Sequence, residues 1–127
     1  MKFFFDENVG LYIVRGLRGF DEDVMHILER FAKGTPDEEW MEYVGDKGMI
    51  WISQDRFIRN RPVIRRLMQQ HKIGGFFLLG KELDHWQRIE QVIGAWPRIR
   101  ELSANTAPPF AFTVRQAGSV ANRINIP

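Results

Sequence analysis

Three aspartates distant in the sequence stand beside short apolar runs that predict strands. Asp6 directly follows residues 2–5, a short run that ends in three phenylalanines, and Asp55 lies two residues after the largely apolar run 49–53. Asp37 opens a predicted helix. Clustered carboxylates repel one another unless a cation lies between them, and sites made only of oxygen ligands suit Mg²⁺ or Mn²⁺. Such an ion can polarise a phosphoryl oxygen and activate water. The three aspartates are therefore predicted to be catalytic metal ligands for phosphodiester hydrolysis.

Each aspartate also has a structural interpretation. Asp37 fits the start of a helix, where the helix dipole favours negative charge. Asp55 could cap the next helix, whereas Asp6 is harder to explain structurally because it ends a Phe-rich strand. Three nearby acids could supply a fourth ligand, namely Glu7, Glu29 and Glu38.

The order of predicted elements explains how distant acids could meet. Strands are predicted at residues 2–5, 23–28, 49–53, 75–79 and 109–114. Helices are predicted at 9–17, from 36 to either 45 or 48, at 62–70 and at 84–96. This alternation predicts one α/β domain, with a mostly parallel central sheet of about five strands and helices on both faces. Ligands of such sheets bind beyond the carboxyl ends of the strands, near the topological switch point, so the three aspartates are expected at one edge.

The boundaries of the domain and of one helix can be stated more closely. Residues 1–115 are predicted to form the domain, and residues 116–127 a loose C-terminal tail after the turn at Gly118. Thr35 is predicted to be the N-cap of the second helix, with Pro36 as its first residue and Glu38 completing a capping box.

Charge is distributed unevenly along the 127 residues, whose net charge is +2. Residues 1–55 hold 12 acids and 6 bases, whereas residues 56–127 hold 4 acids and 12 bases. The division favours a cation site in the first part and a polyanion-binding surface in the second, although a solvated basic helix face would give the same pattern. Five arginines are predicted to hold phosphates of the strand being cut: Arg56, Arg59, Arg61, Arg65 and Arg66.

Composition limits the remaining possibilities. Cysteine is absent, which excludes disulfides and thiolate metal sites, and the three histidines lack metal-ligand spacing. The longest uncharged apolar stretch, residues 73–80, is too short to cross a bilayer, and the N-terminus has no signal-peptide pattern. We therefore expect a cytoplasmic protein without a membrane partner.

The segments FFFDENVG, TPDEEWMEYVGDKG and MIWISQDRFIRNRP resemble the PIN-like domain family, in particular the VapC-type toxin relatives. In that family the first strand ends in Asp followed by Glu-Asn, a second acid opens a helix, and a third lies in a Thr/Ser-x-Asp segment after the next strand. The resemblance covers residues 1–80 well and residues 81–115 in outline. It implies a metal-dependent ribonuclease, commonly the toxin of a toxin–antitoxin pair, with Mg²⁺ or Mn²⁺ held by Asp6, Asp37 and Asp55.

The resemblance also implies roles for neighbouring residues and partners. Asn8 would orient the first acid, Ser53 would hydrogen-bond among the carboxylates, and Glu7 would stand beside them. RNA would be the substrate and a cognate antitoxin the protein partner. Many relatives have a further acid just after the third one, where this chain has Arg56. The apolar residues around Trp86 could serve a homodimer or pack on the sheet.

Two alternatives to a nuclease remain open from the sequence. A phospho-receiver domain also carries acids after its first and third strands, but here Asp37 and the arginines would have no role, and Arg115 rather than Lys follows the last predicted strand. A PIN-like scaffold without its fourth acid could instead bind RNA or a protein without cutting it.

Overall fold

The computed structural model describes residues 1–54, 61–124 and 126 of the chain. Its strands are β1 (Phe3–Phe5), β2 (Val24–His26), β3 (Ile50–Ser53), β4 (Gly74–Leu78), β5 (Phe110–Val114) and β6 (Val120–Ile124). Its α-helices are α1 (Leu11–Leu17), α2 (Asp37–Asp46), α3 (Pro62–His71) and α4 (His85–Asn105), and a 3₁₀ turn spans Ile27–Glu29. Within these residues, no helix combines the length and hydropathy needed to span a membrane.

The strands form one sheet in the order β2-β1-β3-β4-β5-β6. The first five are parallel, and β6 is antiparallel to β5. The predicted α/β class and the mostly parallel sheet are confirmed. After β1 the chain places β2 on one side and β3 on the other, so the topological switch point lies between β1 and β3, where ligands of open α/β sheets bind.

Two apolar layers cover the sheet, because alternate side chains of a strand point to opposite faces. Phe3 and Phe5 face α1 and α4, whereas Phe4 faces α2 and α3. All three phenylalanines are 0% exposed, which explains why β1 is a continuous apolar run. The prediction of helices on both faces is confirmed.

The connection through α4 differs in hand from the other parallel connections. Helices α1 and α4 lie on the same face, yet α1 leads from β1 to β2 and α4 leads from β4 to β5 in the opposite direction along the sheet. Like α4, helices α2 and α3 connect strands in the direction from β2 towards β5, but they lie on the other face of the sheet. Parallel crossovers are nearly always right-handed. The connection through α4 is therefore the exception, and it brings α4 back over β1.

The segment predicted as a loose tail contributes the sixth strand instead. Gly118, with φ at +90°, lies in the turn between β5 and β6, and Val120–Ile124 then pairs with β5. Ile124 is 4% exposed and packs in the layer under α2 and α3. The prediction of a loose tail is wrong for these residues, because the few apolar residues of the segment were enough to cover the edge of β5.

Other boundaries shift for local reasons. Strand β2 ends at His26 because the ring Nδ1 accepts from the Leu28 N–H and the Glu29 carboxylate accepts from the His26 N–H, which starts a 3₁₀ turn. The predicted N-cap Thr35 is wrong, since Pro36 holds that position and the Thr35 hydroxyl donates to Ala32 O at 2.6 Å.

Helix α4 extends beyond the predicted end at residue 96. It continues through Pro97 to Asn105, because Ile99 of the added turns is buried against the sheet with Trp96. Packing of this apolar side thus outweighs the loss of the backbone N–H that proline lacks.

Helices α2 and α3 lie unusually close at Gly45. A Cβ on Gly45 would come within 2.6 Å of the carbonyl oxygen of His71. Only glycine allows this approach without a backbone shift. The contact joins the carboxyl end of α2 to that of α3, and the amino ends of both helices point to the edge of the sheet where the acids lie.

Candidate functional site

Asp6 stands at the carboxyl end of β1, beside the switch point. Its backbone N–H donates to Ile52 O of β3 at 3.2 Å, so the residue is anchored to the sheet. One carboxylate oxygen, Oδ1, accepts from the Asn8 N–H at 3.2 Å, and Oδ2 accepts from the indole N–H of Trp51 at 2.9 Å. The side chain is 8% exposed. Asp6 is thus a buried carboxylate held by donors from the turn after β1 and from the neighbouring strand β3.

Asp37 begins α2 and is half-buried. Its Oδ1 accepts from the indole N–H of Trp40 at 3.1 Å, and its Oδ2 lies 3.4 Å from Nη2 of Arg61, the residue before α3. The helix start explains the position of Asp37 in the chain, but the tryptophan and arginine contacts orient its carboxylate away from the helix end. The side chain therefore faces the space between the two helix starts.

Asp6 and Asp37 line the same cavity at the carboxyl edge, with a volume of about 290 Å³. The cavity is also lined by Glu7, Asn8, Trp40, Trp51, Arg61 and Ile64. The βα order thus brings together two acids that are far apart in the sequence. The third predicted ligand, Asp55, and the predicted phosphate-binding residues Arg56 and Arg59 lie outside the residues that the structure describes.

A pair of tryptophans connects the two acids. Trp40 and Trp51 are 4% and 2% exposed, and their rings meet edge to face with centroids 5.1 Å apart. Each is a core residue, as the sequence suggested, but each also donates its indole N–H to one of the acids. The sequence signal was available, because a buried indole N–H normally requires an acceptor.

Asn8 ties the turn after β1 to the end of β3. Its Oδ1 accepts from the Ser53 hydroxyl at 3.3 Å and from the Gln54 N–H at 2.9 Å. Its own backbone N–H donates to Asp6, so one residue links the first acid to the residue that directly precedes Asp55 in the chain. Glu7 is held separately, because its Oε1 accepts from the Gly34 N–H at 2.9 Å.

The other two acids considered as a fourth ligand are placed elsewhere. Glu29 accepts from Arg18 at 2.6 Å and from the His26 N–H. The hydrogen bond from Arg18 lowers the pKa of Glu29, with a further contribution from the His26 N–H. Glu38 is exposed in the first turn of α2. Of these acids, Glu7 is the one that lines the cavity.

The three basic-segment arginines that the structure describes are arranged differently from one another. Arg61 lines the cavity, whereas Arg65 is half-buried in α3 and Arg66 is exposed on it. Arg61 is therefore the one of the three that lies beside the acids, where it pairs with Asp37.

Arg88 is a buried basic residue beside the candidate site that was not predicted from the sequence. It lies in the first turns of α4, is 5% exposed, and donates to the carbonyl oxygens of Leu79 and Gly80 and to the side chains of Gln91 and Gln54. Burial lowers the pKa of Arg88. A basic residue on the apolar stripe of a helix was the available signal. Its contact with Gln54 extends the network from Asp6 and Asn8 to α4.

The donors at the cavity fit a hard divalent cation, since Asp6, Glu7 and Asp37 offer only oxygen. The Asp37 carboxylate accepts from Trp40 and Arg61 and has about four lone-pair positions, which leaves capacity for an ion. Among residues 1–54, 61–124 and 126, no three acidic or histidine side chains form a metal-binding group. The chemistry of the donors fits Mg²⁺ or Mn²⁺, and Asp6 and Asp37 are the two predicted ligands that the structure places in one cavity.

A protein-family model described as a PIN-like domain matches residues 1–80, from β1 through β4. The match covers more than half of the chain, and the chain belongs to the PIN-like domain family, which includes nucleases. Comparison with curated proteins and with solved structures gave no match. The matched segment contains all three acids of the cavity, whereas α4 and Arg88 lie beyond it.

Proposed function

We propose that the chain is a metal-dependent ribonuclease that hydrolyses RNA phosphodiesters at the carboxyl edge of its sheet. The observation that carries this proposal is the shared cavity of Asp6 and Asp37 at the switch point between β1 and β3. Membership of the PIN-like family supports it, because nucleases of this family commonly use Mg²⁺ or Mn²⁺.

In this reaction the residues of the cavity would have three roles, namely metal binding, orientation of the carboxylates and phosphate binding. Asp6 and Asp37, together with Asp55, would hold the ion, which when bound would polarise a phosphoryl oxygen and lower the pKa of a water molecule. Trp51 and Trp40 fix the orientation of the first two carboxylates through their indole N–H groups. Arg61 would turn from Asp37 to a substrate phosphate, because the ion would then neutralise the carboxylate.

The test is cleavage of single-stranded RNA in the presence of Mn²⁺. We expect wild type to cut, and Asp6→Asn, Asp37→Asn and Asp55→Asn each to reduce cleavage by at least about a hundredfold, since each would remove a charged ligand. Asp46→Asn is the matched control, because Asp46 is an exposed acid at the opposite end of α2. Cleavage that survives Asp6→Asn would overturn the proposed metal site.

A non-catalytic RNA-binding module is the second proposal, and the Asp37–Arg61 pair favours it. In that form Arg61, rather than a metal ion, balances the charge of Asp37. Such a module would bind RNA with equal affinity with or without Mn²⁺, and would leave the RNA intact. Cleavage that is lost in Asp6→Asn would exclude this alternative. The match to a PIN-like family favours both proposals over a phospho-receiver domain.

The proposal extends to a toxin–antitoxin pair in the cytoplasm. Production of the wild-type chain would then arrest growth, whereas the Asp6→Asn variant would not. A small reading frame beside the gene would encode the antitoxin and relieve the arrest. A homodimer is also compatible with this setting, and its test is the molar mass in solution.

A further inference from the structure

An aromatic group lies at the carboxyl edge on the face opposite the acidic cavity. The rings of Tyr12 and His85 stack with centroids 4.2 Å apart and an interplanar angle of 28°. Trp86, the next residue in α4, is 75% exposed, and His85 is also exposed. Exposed rings at neighbouring positions leave apolar area in water, which a flat ligand could cover.

The ring pair lies beside the turn that contains Asn8. The Tyr12 ring packs against Gly10, at the end of this turn, since a Cβ on Gly10 would come within 2.2 Å of the ring. On the other side, Arg88 lies one helical turn after His85 and donates to Gln54 at 3.4 Å. The Gln54 N–H in turn donates to Asn8. The aromatic group and the acids therefore belong to one continuous edge.

Helix α4 reaches this edge because its connection crosses to the face of α1. A right-handed connection would have placed His85 and Trp86 on the other face, with α2 and α3. The Asp84 carboxylate caps the helix start, where its Oδ1 accepts from the Gln87 N–H at 2.8 Å, and it keeps its negative charge. Lys81 and Glu82 are both exposed in the preceding loop and offset each other, so this part of the edge suits uncharged bases better than phosphates.

We propose that Tyr12, His85 and Trp86 form a nucleobase-stacking subsite for single-stranded RNA. It rests on the proposed function, because it would take the bases of the strand whose phosphodiester meets the acids. Stacking on aromatic side chains is how proteins hold single strands with little sequence preference, while cationic residues hold the backbone. Cleavage would thus depend on unpaired bases next to the cut, and a duplex would be a poor substrate.

The experiment measures RNA binding rather than cleavage. A negative result would therefore count against the stacking subsite and not against the nuclease proposal. Asp6→Asn serves as the parent, and the probe is a fluorescently labelled single-stranded oligouridylate whose anisotropy is followed. His85→Ala and Trp86→Ala are each expected to weaken binding about tenfold, within the range known for loss of one base–aromatic stack. Phe20→Ala is the matched control, because Phe20 is an aromatic residue that is 83% exposed near the far end of α1.

An abasic oligonucleotide of equal length separates the contribution of base stacking to affinity from that of the phosphate charges. The parent should prefer the base-containing RNA, and Trp86→Ala should remove that preference without changing how strongly affinity falls with salt, since salt reports phosphate contacts. Equal binding of the two oligonucleotides by the parent would overturn the subsite, as would unchanged affinity in both ring variants. Ring-dependent binding without any cleavage by wild type would support the subsite and overturn the nuclease proposal alone.

Discussion

The indole N–H of Trp51 donates to Oδ2 of Asp6 across the β1–β3 pair, at 2.9 Å. A residue from the centre of β3 thus fixes a carboxylate at the end of β1. Because Trp51 is 2% exposed and Asp6 is 8% exposed, little water can replace this bond. The buried Trp51 of the sheet core thus fixes the orientation of the Asp6 carboxylate.

Loss of the Trp51 indole N–H should weaken both stability and the site. Trp51→Phe keeps an aromatic ring but leaves the Asp6 carboxylate with one donor fewer, and a hydrogen bond to a charged group contributes about 2 kcal/mol. We expect the free energy of unfolding in urea to fall by about that amount, and cleavage to fall with it. Trp86→Phe, at an exposed position, should leave stability unchanged. Equal stability of Trp51→Phe and wild type would contradict this role.

Asp21 should make stability depend on acid pH. Its burial would raise the pKa of the carboxyl, but hydrogen bonds from Trp96 and the Asp23 N–H, together with the Arg100 guanidinium, outweigh burial and lower it below 3.8. The folded state therefore favours the carboxylate. Its contribution to stability is complete above the unfolded pKa and is lost as pH falls through the lowered folded pKa.

Asp21→Asn tests this dependence. The variant should be less stable than wild type at pH 7, and the difference should shrink as pH falls through the lowered folded pKa of Asp21, because the wild-type side chain then becomes neutral like asparagine. Urea unfolding at several pH values measures it. Glu22→Gln, an exposed neighbour, is the control that should keep the wild-type pH dependence. A difference that stays constant down to the lowest pH would contradict the prediction.

Arg61 should matter more for RNA than for folding. The Asp37–Arg61 pair is 3.4 Å long, and both side chains are nearly half exposed, so its contribution to stability should be below about 1 kcal/mol. Arg61→Gln should weaken RNA binding and reduce the dependence of log affinity on log salt by about one unit, because one phosphate contact is lost. Arg98→Gln, which breaks the exposed pair with Glu101, should do neither.

Strand β6 should contribute to the core rather than to the surface alone. Ile124→Ala should lower the free energy of unfolding by about 2–4 kcal/mol, because it removes a side chain that is 4% exposed and packed under α2 and α3. Arg123→Ala should cost less than about 1 kcal/mol, since it removes a cation–π contact with Phe112. Thermal or urea unfolding compares the two. Equal effects would indicate that the strand is not packed as described.

The part of the site that was predictable follows from the βα order. A Phe-rich run that ends in an acid can only be a buried strand with a carboxylate at its end, and Asp37 at a helix start comes to the same edge because the sheet is parallel. Short-range patterns thus place Asp6 and Asp37 at one edge without any knowledge of contacts. They do not reveal Trp40 and Trp51 as donors, because apolar spacing identifies a tryptophan as core without showing where its N–H points.

The part beyond residue 80 was less predictable, for a topological reason. Helical periodicity located α4, but periodicity carries no information on which face of the sheet a helix covers. The usual right-handed connection would have placed α4 with α2 and α3, away from Gln54. Arg88 was missed for the same reason, since its contact with Gln54 exists only on the face that α4 covers. The pairing of β6 was missed because an antiparallel edge strand needs few apolar residues.

Gly45 gives the acidic cavity a mechanical property. Gly45 and Asp37 lie at opposite ends of α2, about 12 Å apart along the helix axis. The close contact between Gly45 and His71 fixes the spacing of α2 and α3 at the end far from Asp37. A side chain at this position would push the two helices apart at one end and tilt the wall that carries Asp37 relative to Arg61. The width of the cavity therefore depends on a contact far from the cavity's own acids, and can be changed without replacing any of them.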